Sequence, residues 1–121
     1  MPAPGPRILV VDDNVDAANT LGALLGMDGF AVTTAYDGVA AVAAAKAHKP
    51  DVVVMDIGMP GMNGYEAARL IRQEAAGEKM VLIALTGWGQ SSDKTQASLA
   101  GFDHHLVKPI DYDSLMSCLA D

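Results

Sequence analysis

The sequence has little cysteine and no clustered positive charge, and each shortage excludes a class of protein. The one cysteine, Cys118, cannot form an internal disulfide, so we expect a reducing, cytoplasmic location. Eight Lys and Arg residues against 15 Asp and Glu residues give a formal net charge of −7, and no stretch gathers the basic residues. Direct binding to nucleic acid or to an anionic membrane depends on neutralising phosphate charge, so we expect neither.

Long apolar runs are also absent. The longest ones fall far short of the roughly 20 residues that a membrane-spanning helix needs, so the sequence predicts no membrane segment. Residues 1–6, which are rich in proline, are interpreted as an extended lead-in, either a native start or the end of a linker from an upstream domain. The remaining length, half of it hydrophobic, fits one domain, to which we assign residues 7–121.

The sequence does contain a regular alternation of short apolar strands and helices. Five β-rich runs predict strands at residues 7–11, 31–35, 51–55, 80–85 and 104–107. The stretches between and after them have helical spacing of apolar residues, with amino-terminal caps expected at Asp37 and Asp111. In the first helix the stripe on one face, which we expect to be buried, contains Val15, Ala18, Leu21 (or Gly22) and Leu25. This alternation predicts an α/β fold, a doubly wound parallel sheet with helices on both faces.

Polar residues stand where four of the predicted strands end. These residues are Asp12 and Asp13 after the first strand, Asp56 after the third, Thr86 after the fourth and Lys108 after the fifth. Because the carboxyl ends of parallel strands meet at one edge of a sheet, where doubly wound folds bind ligands, we expect these side chains to converge. A helix cap would explain one of the two adjacent aspartates, but not both together with Asp56.

Three carboxylates in one pocket repel one another. Two of them about 4 Å apart cost about 1 kcal/mol in water and about 4 kcal/mol at the effective dielectric constant near a protein surface. Lys108 offsets one negative charge, and the remaining excess favours a hard divalent cation. Mg²⁺ fits best because it accepts one or two carboxylates and keeps several waters, with Mn²⁺ as the alternative. A metal, a lysine, a hydroxyl and a free carboxylate are what phosphoryl transfer requires.

The motifs VVDDN, VVVMDIGMPGMNGYE, ALTG and HHLVKPID follow one another over nearly the whole chain, and together they resemble the receiver domain of two-component response regulators. The segment LTGWGQ…AGFDHHLVKP is especially similar to the corresponding segment of receivers attached to hybrid sensor histidine kinases. The resemblance implies a flavodoxin-like (βα)5 fold with strand order 2-1-3-4-5. It also implies a signalling phosphoacceptor that catalyses its own phosphorylation and dephosphorylation and is otherwise not an enzyme.

The resemblance assigns roles to residues at matching positions. Asp56 is the expected phosphoacceptor, whose carboxylate attacks a phosphohistidine of a partner. The implied metal ligands are Asp13, Asp56, the backbone carbonyl of Gly58 and, largely through a metal-bound water, Asp12. Lys108 and Thr86 are expected to contact phosphoryl oxygens. The expected partners are a histidine kinase or a histidine phosphotransfer protein, and we expect a monomer.

The implied switch couples Thr86 to an aromatic position three residues before the lysine, which here is His105. Tyr or Phe is more usual there, and a titratable ring would make the coupling sensitive to pH. The implied output surface is the face of the fourth helix, the fifth strand and the fifth helix, around Gln96, His105 and Tyr112. Gly58 and Trp88 offer no carboxylate or amide to position a hydrolytic water, so we expect slow self-dephosphorylation. By resemblance, the Lys108–Pro109 peptide bond is expected to be cis.

Three other functions compete with this interpretation. A phosphohydrolase of the haloacid dehalogenase type separates its first two aspartates by one residue, whereas Asp12 and Asp13 are adjacent. A flavodoxin-like electron carrier would need a phosphate-binding loop where these carboxylates would repel FMN. A receiver that is never phosphorylated and only binds partners is opposed by the presence of all five polar residues at the strand ends. A metal site at His104 and His105 is disfavoured, because adjacent strand residues point to opposite faces.

Overall fold

A computed structural model describes residues 6–59, 61–73, 79–86, 99–107 and 111–120. Strands and helices alternate in the order β1 (Arg7–Val11), α1 (Val15–Met27), β2 (Ala31–Ala35), α2 (Gly38–His48), β3 (Val52–Asp56), α3 (Gly64–Gln73), β4 (Val81–Thr86), β5 (His104–Val107) and the C-terminal helix (Tyr112–Ala120). Leu99 and Ala100 are helical and end the segment in which the sequence predicts the fourth helix. No helix in the described ranges is long and apolar enough to cross a bilayer.

All five strands are parallel and lie in the order β2-β1-β3-β4-β5. This confirms the doubly wound, flavodoxin-like fold and places the less apolar strand β2 at an edge, as expected. Strands β3 and β4 begin and end one residue later than the sequence predicts. As a result, Asp56 and Thr86 are the last residues of their strands, where backbone pairing with the neighbouring strand holds them in place.

The sheet has an apolar core on each face, because successive strand residues point to opposite sides. One core packs strand residues such as Leu9 and Met55 against α2 and α3. The other packs strand residues such as Val10 and Val54 against α1 and the C-terminal helix. Full burial of one such aliphatic side chain stabilises the fold by roughly 1.5–3 kcal/mol. Both cores together make the central strands β1, β3 and β4 a rigid support for the residues at their ends.

Side chains cap the helices where the sequence predicts caps, and at one further position. Asp37 Oδ1 accepts the Ala40 N–H at 2.7 Å at the start of α2, and Asp111 Oδ2 accepts the Ser114 hydroxyl at 3.0 Å at the start of the C-terminal helix. Helix α1 is capped by Asn14, whose Oδ1 accepts a backbone N–H of the first turn. Neither of the two adjacent aspartates before it therefore serves as the cap.

The predicted buried stripe of α1 is correct at Ala18 and Leu25 and wrong at Val15, which is 47% exposed. Val15 is the first residue of the helix and follows the end of β1 by only a short loop. It therefore lies at the carboxyl edge of the sheet, where no strand passes beneath it to bury its side chain.

The carboxyl end of α2 has a residue in a strained backbone conformation. Lys49 adopts the left-handed region with φ 48° and ψ 60° and donates its N–H to Ala45 O at 3.0 Å. That region costs an L-residue with a Cβ roughly 1–2 kcal/mol, and glycine avoids the steric part of this cost.

We therefore expect Lys49→Gly to raise the free energy of unfolding by about 0.5–1 kcal/mol. The gain is smaller than the strain that is relieved, because glycine has extra chain entropy in the unfolded state. Urea denaturation measures the change. Lys49→Ala is the matched control, because it removes the same charge but keeps the Cβ. Equal stability of the two variants would show that backbone strain at this position is not the cause.

Candidate functional site

Three carboxylates meet at the carboxyl edge of the sheet. Asp12 and Asp13 follow β1, and Asp56 ends β3, which is the parallel neighbour of β1. One ligand oxygen from each of the three residues lies within 4.8 Å of those of the other two. The pairing of two parallel strands therefore brings together residues that are more than forty positions apart in sequence.

Backbone N–H groups orient the two buried members of this cluster. Asp12 and Asp56 are only 5% and 7% exposed, whereas Asp13 is exposed. Asp12 Oδ1 accepts the Asn14 N–H and Asp56 Oδ1 accepts the Gly58 N–H, each at 2.9 Å. Each hydrogen bond engages one carboxylate oxygen, and a carboxylate can accept several more bonds through its two oxygens.

The electrostatics of the cluster show in the pKa of the Asp13 carboxyl, which is raised above its usual value. Desolvation is the largest cause, followed by the negative charges of Asp56 and Asp12, and a hydrogen bond with Asp56 acts in the same direction. The Asp13 side chain is exposed, so a cation can reach it from solvent. The positive charge of a bound cation would offset the repulsion among the three carboxylates and so lower the pKa of Asp13.

Thr86 adds a buried hydroxyl at the same edge of the sheet. It ends β4 one position beyond Leu85, which pairs with Asp56 across the two strands. The side chain is 1% exposed, and among the described residues its Oγ1 has no hydrogen-bond partner. A buried hydroxyl left unsatisfied costs about 1–3 kcal/mol, so this position favours a ligand that brings an acceptor oxygen.

Two glycines shape the loop that follows Asp56, and the sequence reasoning missed both. A Cβ on Gly64 would lie 2.6 Å from Ile57 Cα, and a Cβ on Gly38 would lie 2.5 Å from Met62 O. The loop that contains Gly58 therefore packs more tightly than any side chain at these positions would allow. The dipeptides Asp-Gly and Asn-Gly in which the two glycines stand are turn signals that could have indicated this.

The other candidate residues lie elsewhere or outside the described part of the chain. Lys108, Trp88 and Gln96 fall outside it, as does the Lys108–Pro109 peptide bond. His105 lies on β5 opposite Ala84, and Tyr112 begins the C-terminal helix. Neither of these two belongs to the carboxylate cluster, and within the described ranges no cluster of metal-ligand type contains a histidine.

The donor set of the cluster fits a hard divalent cation. Carboxylate oxygens are ligands that Mg²⁺, Mn²⁺ and Ca²⁺ prefer, and this cluster has three of them with no nitrogen or sulfur donor. The mutual repulsion that, after desolvation, contributes to the raised pKa of the Asp13 carboxyl is a further reason for a cation to bind here.

The chain belongs to a known family of signalling domains. Residues 8–120 match the family model of the response regulator receiver domain, so the chain is a receiver domain, the phosphoacceptor unit of two-component signalling. Protein PilH of Pseudomonas aeruginosa is 38% identical over 113 residues, which are 93% of each chain. The chain spans only about half the length of several other curated relatives, which are transcriptional regulators.

Solved structures of receiver domains are similar over almost the whole chain. The receiver domain of the sensor histidine kinase PA1611 from Pseudomonas aeruginosa, with a magnesium ion in its active-site cleft, has a TM-score of 0.85 and 34% identity, covering 95% of this chain and 94% of that one. The co-crystal structure of the Saccharomyces cerevisiae phosphotransfer protein Ypd1 with the Ssk1 receiver domain matches with a TM-score of 0.81 and 28% identity, covering 96% of this chain and 87% of the matched one.

Replacing one carboxylate tests the repulsion directly. Without divalent cations at neutral pH, Asp13→Asn should be more stable than wild type, by no more than about 1 kcal/mol because water screens this exposed group. A carboxyl whose pKa is raised on folding loses stability as the pH rises through that pKa, so the gain should vanish in acid, where wild-type Asp13 is protonated. Urea unfolding in EDTA, at neutral pH and in acid, measures the difference in the free energy of unfolding between the two proteins.

The control is Asp16→Asn, because Asp16 lies in the first turn of α1 outside the cluster. Saturating Mg²⁺ should reverse the order of Asp13→Asn and wild type, since wild type offers one more charged ligand. A wild type that is the more stable protein in EDTA at neutral pH would contradict the electrostatic account.

Proposed function

We propose that this receiver domain accepts a phosphoryl group on Asp56 from a phosphohistidine of a histidine kinase or histidine phosphotransfer protein, in a Mg²⁺-dependent reaction. The observation that carries the assignment is the position of Asp56. It is a buried carboxylate at the end of a central strand, within 4.8 Å of two further carboxylates. The buried hydroxyl of Thr86 ends the neighbouring strand.

In the proposed reaction, a carboxylate oxygen of Asp56 attacks phosphorus, the bond from phosphorus to the histidine nitrogen breaks, and its electron pair returns to the imidazole. The hydrogen bond from the Gly58 N–H holds the Asp56 carboxylate in place during the attack. Thr86 donates its hydroxyl to one phosphoryl oxygen, and Lys108, directly after β5, approaches another. The phosphoryl group of the product carries about −1.5 to −2 charge at neutral pH, in place of the single negative charge of the free carboxylate, and the acidic cluster would otherwise repel it.

Asp12, Asp13, Asp56 and the backbone carbonyl of Gly58 would hold the cation, Asp12 largely through a metal-bound water. Bound Mg²⁺ supplies positive charge for the phosphoryl oxygens, and Mn²⁺ would use the same carboxylates. The magnesium found in the similar kinase receiver domain supports this choice of ion.

The proposal extends to the boundaries and surroundings of the domain. Residues 7–121 form the receiver and residues 1–6 its lead-in, in a cytoplasmic and monomeric protein that does not bind nucleic acid directly. The complex of a related receiver with Ypd1 supports a histidine phosphotransfer protein as partner.

The output surface includes the fourth helix, β5 and the C-terminal helix, near Gln96, His105 and Tyr112. Leu99 and Val107, which are 78% and 48% exposed, supply apolar contacts there.

Acetyl phosphate with Mg²⁺ tests the acceptor. Intact mass spectrometry should show one added phosphate on wild type and none on Asp56→Asn or in EDTA. After acetyl phosphate is removed, the added mass should decay slowly, as Gly58 and Trp88 predict. Phosphate on Asp56→Asn would place the acceptor elsewhere. A wild type that takes no phosphate would favour the rival function, a receiver that only binds partners.

The switch involves Thr86 and His105, and the imidazole at the second position should make it sensitive to pH. Protonation of the imidazole would add a positive charge to a half-buried ring on β5. At constant phosphate occupancy, the phosphorylation-dependent NMR shifts of β5 should therefore differ between pH 6 and pH 8. His105→Tyr is the control and should remove the difference, and an identical wild-type response at both pH values would refute the hypothesis.

A further inference from the structure

The amino edge of the sheet, opposite the carboxylate cluster, contains an ion pair that the proposed function does not use. Arg72 Nη2 near the end of α3 lies 2.7 Å from Asp103 Oδ2, just before β5. Their side chains are 22% and 46% exposed. An ion pair this exposed contributes little as a charge interaction, because water screens it, so its significance must come from the hydrogen bonds around it.

The Arg72 guanidinium connects the amino end of β4 to the backbone just before the amino end of β5. Its Nη1 donates to Met80 O at 2.6 Å, immediately before β4. Its Nε donates to Gly101 O at 2.9 Å, and Nη2 donates to the same carbonyl. One side chain therefore binds the backbone where the chain enters β4 and where it returns towards β5.

Asp103 fixes the register of β5 against β4. Its carboxylate accepts the Leu82 N–H at 2.9 Å, and its own N–H donates to Leu82 O at 2.7 Å, so both backbone groups of Leu82 bind one residue. Strand β5 is a four-residue edge strand with a single neighbour. Only a few residue pairs with β4 hold such a short strand. A shift of one residue in its pairing with β4 would turn His105 to the opposite face of the sheet.

Glycine at position 101 permits this arrangement. Gly101 has a positive φ of 109°, and a Cβ there would lie 2.8 Å from Arg72 Cγ. The aliphatic stem of the arginine therefore packs directly on the backbone that ends the preceding helix. The guanidinium can reach the Gly101 carbonyl and the Asp103 carboxylate together only because no side chain stands between them.

We propose that Arg72 and Asp103 form a register lock, a pair of positioning residues that holds β5 in the alignment that the phosphoacceptor site needs. With Ile83 paired to His104 and Thr86 to Val107, the lock at the amino edge sets where Val107 lies against Thr86 at the carboxyl edge. The next residue in the sequence is Lys108. The inference rests on the proposed function, in which Thr86 and Lys108 contact the same phosphoryl group.

Amide hydrogen exchange of the unphosphorylated protein tests the lock without any phosphoryl chemistry. Arg72→Ala should accelerate exchange at the Leu82 and Asp103 amides about tenfold, and leave β1 and β3 unchanged, because only local opening is affected. The control is Arg69→Ala, since Arg69 is exposed on the same helix. If Arg72→Ala does not fold, Asp103→Asn takes its place, because it removes the charge and keeps the shape.

The rate of phosphorylation by acetyl phosphate tests the positioning role. Arg72→Ala should be phosphorylated about tenfold more slowly per folded molecule, because small misplacements of contacting groups reduce rates strongly. Added methylguanidinium should restore much of the rate. Loss of global stability alone would not produce that rescue. The control is Ile71→Val, a change in the core beside Arg72, whose phosphorylation rate should not respond to added methylguanidinium.

The outcomes separate the two proposals. If wild type is phosphorylated and Arg72→Ala matches Arg69→Ala in exchange or in rate, the lock is wrong and the proposed function stands. If wild type takes no phosphate, the proposed function fails. The lock is then judged by exchange alone, where equal rates at Leu82 and Asp103 in the two variants overturn it and a tenfold difference supports it.

Discussion

Repulsion among Asp12, Asp13 and Asp56 is the interaction on which the site depends. The fold holds three negative groups within 4.8 Å because β1 and β3 are neighbouring parallel strands whose pairing and two apolar cores are strong enough to oppose that repulsion. The stored repulsion makes a divalent cation favourable at this edge. Under the proposed function, the same repulsion would make an aspartyl phosphate, with still more negative charge, depend on that cation to form there.

The sheet separates the chemistry from the residues that align it. The groups proposed to react are at the carboxyl edge, at the ends of buried central strands that cannot shift without disturbing both cores. Strand β5 lies at an edge and lacks that support on one side, so its alignment depends more on contacts at its amino end, where Arg72 and Asp103 bind.

Local sequence patterns predicted most of the fold and part of the site. Apolar runs located the strands to within one residue, the caps Asp37 and Asp111 were evident from their residue types, and parallel strand ends predicted the meeting of the three aspartates. Resemblance, not spacing, supplied the strand order. Val15 was misjudged because helical periodicity does not show where the sheet ends. Arg72 was missed because its partners stand 8 to 31 residues away and leave no periodic signal.

Under the proposed function, Asp56 reacts while its neighbours hold the metal. The most direct measurement is phosphoryl transfer from a phosphohistidine-bearing phosphotransfer protein at increasing free Mg²⁺, with the modified residue located by peptide mass mapping. We expect transfer to rise with Mg²⁺, to fall to background in EDTA and to place the phosphate on Asp56. Transfer that EDTA leaves unchanged, or phosphate on any other residue, would contradict it.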